Sequence, residues 1–147
     1  LVSVGDPANP RKRNAMTAAW VTRVSWDPPM IAVAIAPTRY TLELVKEFKE
    51  FAIHVVSKKL VEAACNIFGS LSGRDVDKFS KAGIEPKNGV KIRAPIIGDA
   101  PVVIECKLAN IFEAGDHYIV IGEVVAVYRN NRDKPIVLYG ENYYEVG

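Results

Sequence analysis

Two junctions in this 147-residue chain bring together the residue types that hold an anion. In Pro37-Thr38-Arg39-Tyr40-Thr41 an apolar run ends and a helical pattern begins. A strand-to-helix junction of this kind turns free backbone N–H groups and the positive end of the helix outward. Here Arg39 adds a forked cation, and two threonine hydroxyls add donors. The pattern recurs in Ser72-Gly73-Arg74-Asp75-Val76-Asp77-Lys78-Phe79, where a Ser-Gly turn and an arginine precede a helix with Lys78 in its first turn. Each junction alone is weak, because Thr41 and Asp75 also read as ordinary N-caps and Arg74 and Lys78 as solvated charges. Two such junctions in one chain predict a phosphate-bearing ligand held by two helix N-termini. A third segment, Asn14-Ala15-Met16-Thr17-Ala18-Ala19-Trp20, is rich in small residues that let a flat ring approach the backbone, and Thr17 can donate or accept at a ring edge. On its own this segment reads better as a strand of small side chains under a bulky neighbour.

Other chemistries lack their residues. There is no G-x-G-x-x-G and no G-x-x-x-x-G-K-[ST]. Gly69-Ser70-Leu71-Ser72-Gly73 has leucine where a nucleophile elbow needs serine. His54 and His117 are the only histidines and have no carboxylates at ligand spacing, so no metal site is expected; His54, inside a strand, reads as structural. Cys65 and Cys106 lie far apart and read as two reduced core thiols of a cytoplasmic protein. Arg11-Lys12-Arg13 reads as a solvated loop.

The elements that must position these groups are mostly strands. Leu1 to Gly5, Met30 to Ala36 and Phe51 to Val56 are apolar runs of buried-strand length. Val103 to Leu108 alternates, with Ile104, Cys106 and Leu108 on one face and the charges on the other. Ala114-Gly115-Asp116 turns into a second long strand, His117 to Arg129, apolar on both faces; this predicts burial under another element or a second subunit. Leu42, Val45, Phe48 and Lys49 trace a helix with Thr41 as N-cap. A second helix follows Ser57 and ends at Gly69, a third spans Asp75 to Ala82, and Ile136 to Tyr139 closes the chain as a strand. The expected fold is α+β, mainly β, a barrel with inserted helices in one domain over residues 1–147. Composition agrees: 49% hydrophobic and 24% charged is ordinary for a globular protein. A charge of 19 − 17 = +2 argues against a dedicated nucleic-acid or membrane-surface binder. The longest apolar run, Met30 to Ala36, is too short to cross a bilayer as a helix, and no signal peptide is visible. The start on Leu1, without an initiator methionine, leaves room for an upstream segment.

Taken in order, Asn14–Trp20, Asp27–Pro29, Pro37–Thr41, Ser72–Phe79, the Glu105-Cys106 strand and Gly115-Asp116-His117 resemble one family. It is that of the FMN-binding split-barrel proteins of the flavin reductase-like type, especially the ferric reductase and flavoredoxin branch. The likeness covers nearly the whole chain and ends in Tyr139-Gly140 and Tyr143-Tyr144.

The resemblance implies a homodimer of split β-barrels with FMN near the interface, reduced by NADH or NADPH and passing electrons to free flavin, ferric chelates or a partner protein. It implies that Met16, Thr17, Ala18, Ala19 and Trp20 line the isoalloxazine ring. Arg39, Thr41, Ser72, Arg74 and Lys78 would surround the ribityl phosphate, Tyr40 and Gly73 would also bind the cofactor, and His117 would sit near the flavin's open face and help receive the nicotinamide or another substrate. Such chemistry needs little acid–base help from the protein, which suits the absence of a triad or paired carboxylates. Two alternatives stay open: a flavodoxin-like carrier with no nicotinamide activity of its own, and a nucleic-acid-binding barrel suggested by Arg11 to Arg13.

Overall fold

The computed structural model describes residues 1–147 and is mainly β. Strands β1 (Val2–Gly5), β2 (Arg13–Met16), β3 (Val21–Ser25) and β4 (Met30–Ile35) precede helix α1 (Tyr40–Phe48) and β5 (Glu50–His54). A mixed helical segment follows: a 3₁₀ turn Lys58–Leu60, one α turn α2 (Val61–Ala63) and a π turn Ala64–Phe68. Helix α3 (Lys78–Ala82) leads through a loop to the long hairpin β6 (Val102–Ala114) and β7 (His117–Arg129), and the chain ends in β8 (Ile136–Tyr139) and β9 (Asn142–Glu145).

Seven strands form one antiparallel sheet in the order β2-β1-β5-β6-β7-β4-β3, and β8-β9 form a separate hairpin. The sheet's two edge strands are consecutive in sequence, and this dictates its shape. In a flat sheet β2 and β3 would lie six strand spacings apart, roughly 29 Å. The five Cα steps from Met16 to Val21 reach at most about 19 Å. The sheet must therefore curl until its edges approach, and Thr17–Trp20 bridges the unpaired seam.

Apolar residues pack on both faces of the curled sheet. Val4, Val33, Leu44, Phe51, Cys106 and Val120 belong to one core, and Ala52, Leu60, Phe68, Phe79, Ile97 and Val103 to the other. Gly122 lets the first core close, since a Cβ there would come within 2.5 Å of the Phe51 ring.

Several sequence expectations are corrected here. Arg39 rather than Thr41 holds the N-cap position of helix α1, without a side-chain capping bond, and the helix ends at Lys49, an exposed left-handed C-cap (φ 60°) instead of a member of the apolar stripe. Helix α3 starts at Lys78 with Asp77 as N-cap, not at Asp75. The helix after Ser57 is irregular because it changes pitch twice within Lys58–Phe68. In β7 an extra residue, Val125, stands where the register steps between Glu105 and Cys106, so strict alternation breaks and Val125 and Tyr128 pack on the second core. The predicted charged face of β6 fails at Glu105, which is buried. Its carboxylate accepts from the amides of Val90, Lys91 and Ile92 and from the Tyr128 hydroxyl. Burial pushes this carboxyl upward, but the four donors outweigh it and hold it below its ordinary value.

Candidate functional site

The seam and the start of α1 create two adjoining cavities. The first, about 180 Å³, lies between Arg39–Thr41 and the Ser70–Gly73 turn, with Lys78 and Asn14 forming its floor. Lys78 is buried, and its ammonium donates to the carbonyls of Ala15 and Phe68, each at 3.0 Å. These bonds fix the side chain between β2 and the end of the helical segment. An ammonium has three protons, so one remains for the cavity. Burial, and then the charge of Arg39, push this lysine down to about 8. Asn14 donates from Nδ2 to the Thr41 hydroxyl at 2.9 Å, which leaves the threonine proton free to donate, while Asn14 Oδ1 is buried with no partner. Among backbone groups, the N–H of Tyr40, Thr41, Ser72 and Gly73 meet no protein acceptor. Only glycine fits at 73, since a Cβ would stand 2.4 Å from Asn14 Oδ1 and 2.9 Å from the Tyr40 ring.

The second cavity, about 190 Å³, shares Met16 and Arg39 with the first and is walled by the Thr17–Trp20 segment and His117. Trp20 and His117 lie 4.5 Å apart, ring centroid to centroid, tilted by 44°. Asp116 accepts from His117 Nδ1 at 2.7 Å, which orients the imidazole; that hydrogen bond holds Asp116 below the ordinary carboxylate range. The N–H groups of Thr17, Ala18, Ala19 and Trp20 bond to no protein acceptor, as expected for a strip between two strands that do not pair. The Thr17 hydroxyl is turned away from this role by its bond to the Ala64 carbonyl at 2.5 Å.

Twelve of the thirteen residues predicted for the site thus line one groove. Arg74 is the exception. Its guanidinium bonds Glu43 and the carbonyl of Thr38, a wall residue of the first cavity, both at 2.9 Å, but Arg74 itself lines neither cavity. Thr38, read as a donor in the first junction, also lines the groove, while sequence reasoning missed Ser70, Leu71, Ala34 and Ala36 as wall residues. The signal for Ser70 and Leu71 was the Gly69–Gly73 turn itself, whose small residues expose backbone.

Other candidates have structural roles. His54 is buried, accepts from the Ile97 amide at 3.1 Å, and is pushed down to about 3 by burial. Arg13, expected in a solvated loop, forms a forked pair with Asp77 and lies 5.6 Å over the Phe79 ring, while Lys12 pairs with Glu47. The basic cluster behind the nucleic-acid alternative is thereby largely consumed. Cys106 is a core thiol as expected, but Cys65 is only half-buried and its sulfur lies 2.8 Å from the Tyr143 hydroxyl. No three His, Cys, Asp or Glu side chains cluster as a metal site, and no helix is long and apolar enough to cross a membrane.

An anion cradle opening into a slot with free amides along one wall and two aromatic rings at its mouth defines a class of site: one suited to a flat heterocycle carrying a phosphate arm. The chain belongs to the flavin reductase-like family, whose domain model matches residues 1–147. The flavoredoxin of Desulfovibrio vulgaris (Miyazaki F) shares its fold with a TM-score of 0.88 and 32% identity, over 100% of this chain and 85% of that one. An NADH:riboflavin 5'-phosphate oxidoreductase of Streptomyces pristinaespiralis is 29% identical over 95% of this chain and 74% of its own length. An Aeropyrum pernix protein is 42% identical over 77% of this chain but only 43% of its own length. The chain spans less than two thirds of that protein and of two further archaeal relatives.

Proposed function

We propose that this chain, as a single split-barrel domain, binds FMN in the groove, uses NADH or NADPH to reduce it, and passes the electrons to free flavin, a ferric chelate or a partner protein. The observation that carries this reading is the continuity of the two cavities through Met16 and Arg39, with cations and free amides at one end and an amide-edged, aromatic-walled slot at the other. FMN, when bound, supplies the redox chemistry by accepting a hydride and releasing electrons. The chain's residues bind and orient. Lys78, Arg39 and the amides of Tyr40, Thr41, Ser72 and Gly73 suit a phosphate, and the unpartnered Asn14 Oδ1 suits a ribityl hydroxyl. The amides of Thr17 to Trp20 suit acceptors on a ring edge. His117, held by Asp116, and Trp20 would exclude water from one side and position the incoming nicotinamide.

The reading includes a homodimer. The curled sheet leaves the seam open beside Trp20, which is 62% exposed, and the long hairpin exposes Phe112 and Val127. An apolar surface of this kind is suited to a second copy. A cytoplasmic setting suits the two free thiols.

The structural likeness to a flavoredoxin favours a second reading, a carrier that binds FMN without nicotinamide activity. Anaerobic mixing of the FMN-loaded protein with each nucleotide separates the two. Bleaching of the flavin band by NADH or NADPH is expected. No bleaching by either leaves the carrier reading.

A further inference from the structure

Arg39 is the one charged residue that borders both the phosphate cradle and the ring slot. The other cations nearby are occupied. Arg13 pairs with Asp77, Lys12 with Glu47 and Arg74 with Glu43, while two carbonyls hold Lys78. Among these side chains only that of Arg39 forms no hydrogen bond, ion pair or ring contact within the chain. No carboxylate lines either cavity, so nothing in the groove offsets its charge. That charge reaches the floor of the cradle, where, after burial, it lowers the proton affinity of Lys78. Arg39 is also half-buried, which weakens its screening by solvent.

The two ends of the groove are unequally supplied with charge. Lys78 and the free amides of Tyr40, Thr41, Ser72 and Gly73 already serve the phosphate end. The ring slot has nine lining residues, and Arg39 is its only permanent charge. His117, its other titratable residue, commits Nδ1 to Asp116. The covalent structure of a flavin gives this placement a meaning. Its ribityl chain leaves the ring at N10, and N1 lies beside N10 across one carbon. A charge where the cradle meets the slot therefore stands at the edge of the ring that holds N1. A hydride added to N5 of the neutral oxidised ring brings two electrons and one proton, and the donor leaves as oxidised nicotinamide. The reduced ring then carries one negative charge, centred on N1.

We propose that Arg39 sets the redox balance of the bound flavin, its guanidinium favouring the anionic reduced ring over the neutral oxidised one. This rests on the flavin reading of the groove and adds to Arg39 a role separate from the phosphate. Bound FMN is then easier to reduce, and reduced FMN slower to leave, than with a neutral side chain at position 39.

The test compares wild type, Arg39→Gln and Arg39→Lys, each loaded with FMN. Affinity for oxidised FMN is read by fluorescence titration. The potential of the bound flavin is read at pH 7 against a reference dye during slow anaerobic reduction by xanthine oxidase. Binding and reduction form a closed cycle, so a tenfold change in the preference for reduced over oxidised FMN shifts the potential by about 30 mV. Arg39→Gln is expected to lower the potential by at least that amount, its loss of affinity falling more heavily on the reduced form. Arg39→Lys keeps the charge and should stay closer to wild type than to Arg39→Gln. An unmoved potential in Arg39→Gln, with both redox forms weakened equally, overturns the proposal and leaves Arg39 a phosphate contact. Arg39→Lys shifting as far as Arg39→Gln overturns it too, since charge is then not the cause. If Arg39→Gln does not fold, Arg39→Met is held to the same criteria. No nicotinamide enters these measurements, so failure of NADH and NADPH to bleach the flavin would remove the reductase reading and leave this proposal standing. A wild type that binds no FMN would end both.

Discussion

Lys78 is the residue on which the groove's electrostatics turn. Its ammonium is held by two carbonyls and faces a cavity that also contains Arg39, so burial and like charge both favour proton loss. A bound phosphate reverses the second effect and keeps the proton on. The sign follows: the free site loses its proton near pH 8, the occupied site higher, so FMN binding above pH 8 takes up a proton and weakens as pH rises. Titrations from pH 7 to 10 should show this decline, and Lys78→Ala should remove it while weakening binding by about 1–3 kcal/mol, the scale of a charge-assisted contact. For His117→Ala we expect FMN to stay bound and reduction by nicotinamide to slow; stopped-flow reduction rates check this. The residue types at these positions were legible in the sequence because an anion site advertises itself through Arg, Lys, Ser and Gly beside helix starts. Arg74 looked equivalent to Lys78, but Glu43 lies one helical turn from the groove and takes its charge, a tertiary contact that spacing alone cannot reveal.

At the scale of elements, the site depends on three short segments meeting at close quarters: the β2–β3 bridge, the start of α1 and the Ser70–Gly73 turn. Gly73→Ala would force a Cβ against Asn14 and Tyr40. FMN affinity should fall more than tenfold by fluorescence titration, and the melting temperature should fall as well because buried Asn14 must move. Several strands and the hairpin turn were readable from apolar runs and the Gly115-Asp116 turn, and β7 and β8 lie where the sequence puts them; β6 runs on past the predicted Val103–Leu108 to Ala114, and β3 and β9, short and largely exposed, carried no apolar run to mark them. The helix starts lie one to three residues from the predicted positions: the Thr41 hydroxyl accepts from Asn14, and Asp77 rather than Asp75 precedes α3, tied to Arg13 and Ser80. Glu105 was misread because its partners come from a loop 13 to 15 residues upstream. That carboxylate's depressed pKa contributes stability at neutral pH that is lost as pH falls through its folded value. Glu105→Gln should therefore cost roughly 2–4 kcal/mol in urea unfolding at pH 7, with the gap to wild type narrowing below pH 4.

For the whole molecule, the seam explains why the site is where it is. A closed sheet would pair every amide of Thr17 to Trp20; a curled sheet with unpaired edges leaves them for a ligand. The same opening leaves apolar surface, and sedimentation should give twice the 16.2 kDa chain mass. Phe112→Glu should shift the protein toward monomer. A barrel was legible from the order of strands and helices; the open seam was not, and it follows from β2 and β3 being both sequence neighbours and opposite, unpaired edges. The central claim is that the groove holds a flat ring by its amides and a phosphate by its cations. Comparing FMN with riboflavin, which lacks the phosphate, tests it most directly. The wild type should bind FMN about a hundredfold more tightly, near 3 kcal/mol, and Lys78→Ala should lose most of that preference. Equal affinity for the two flavins in the wild type would contradict the account.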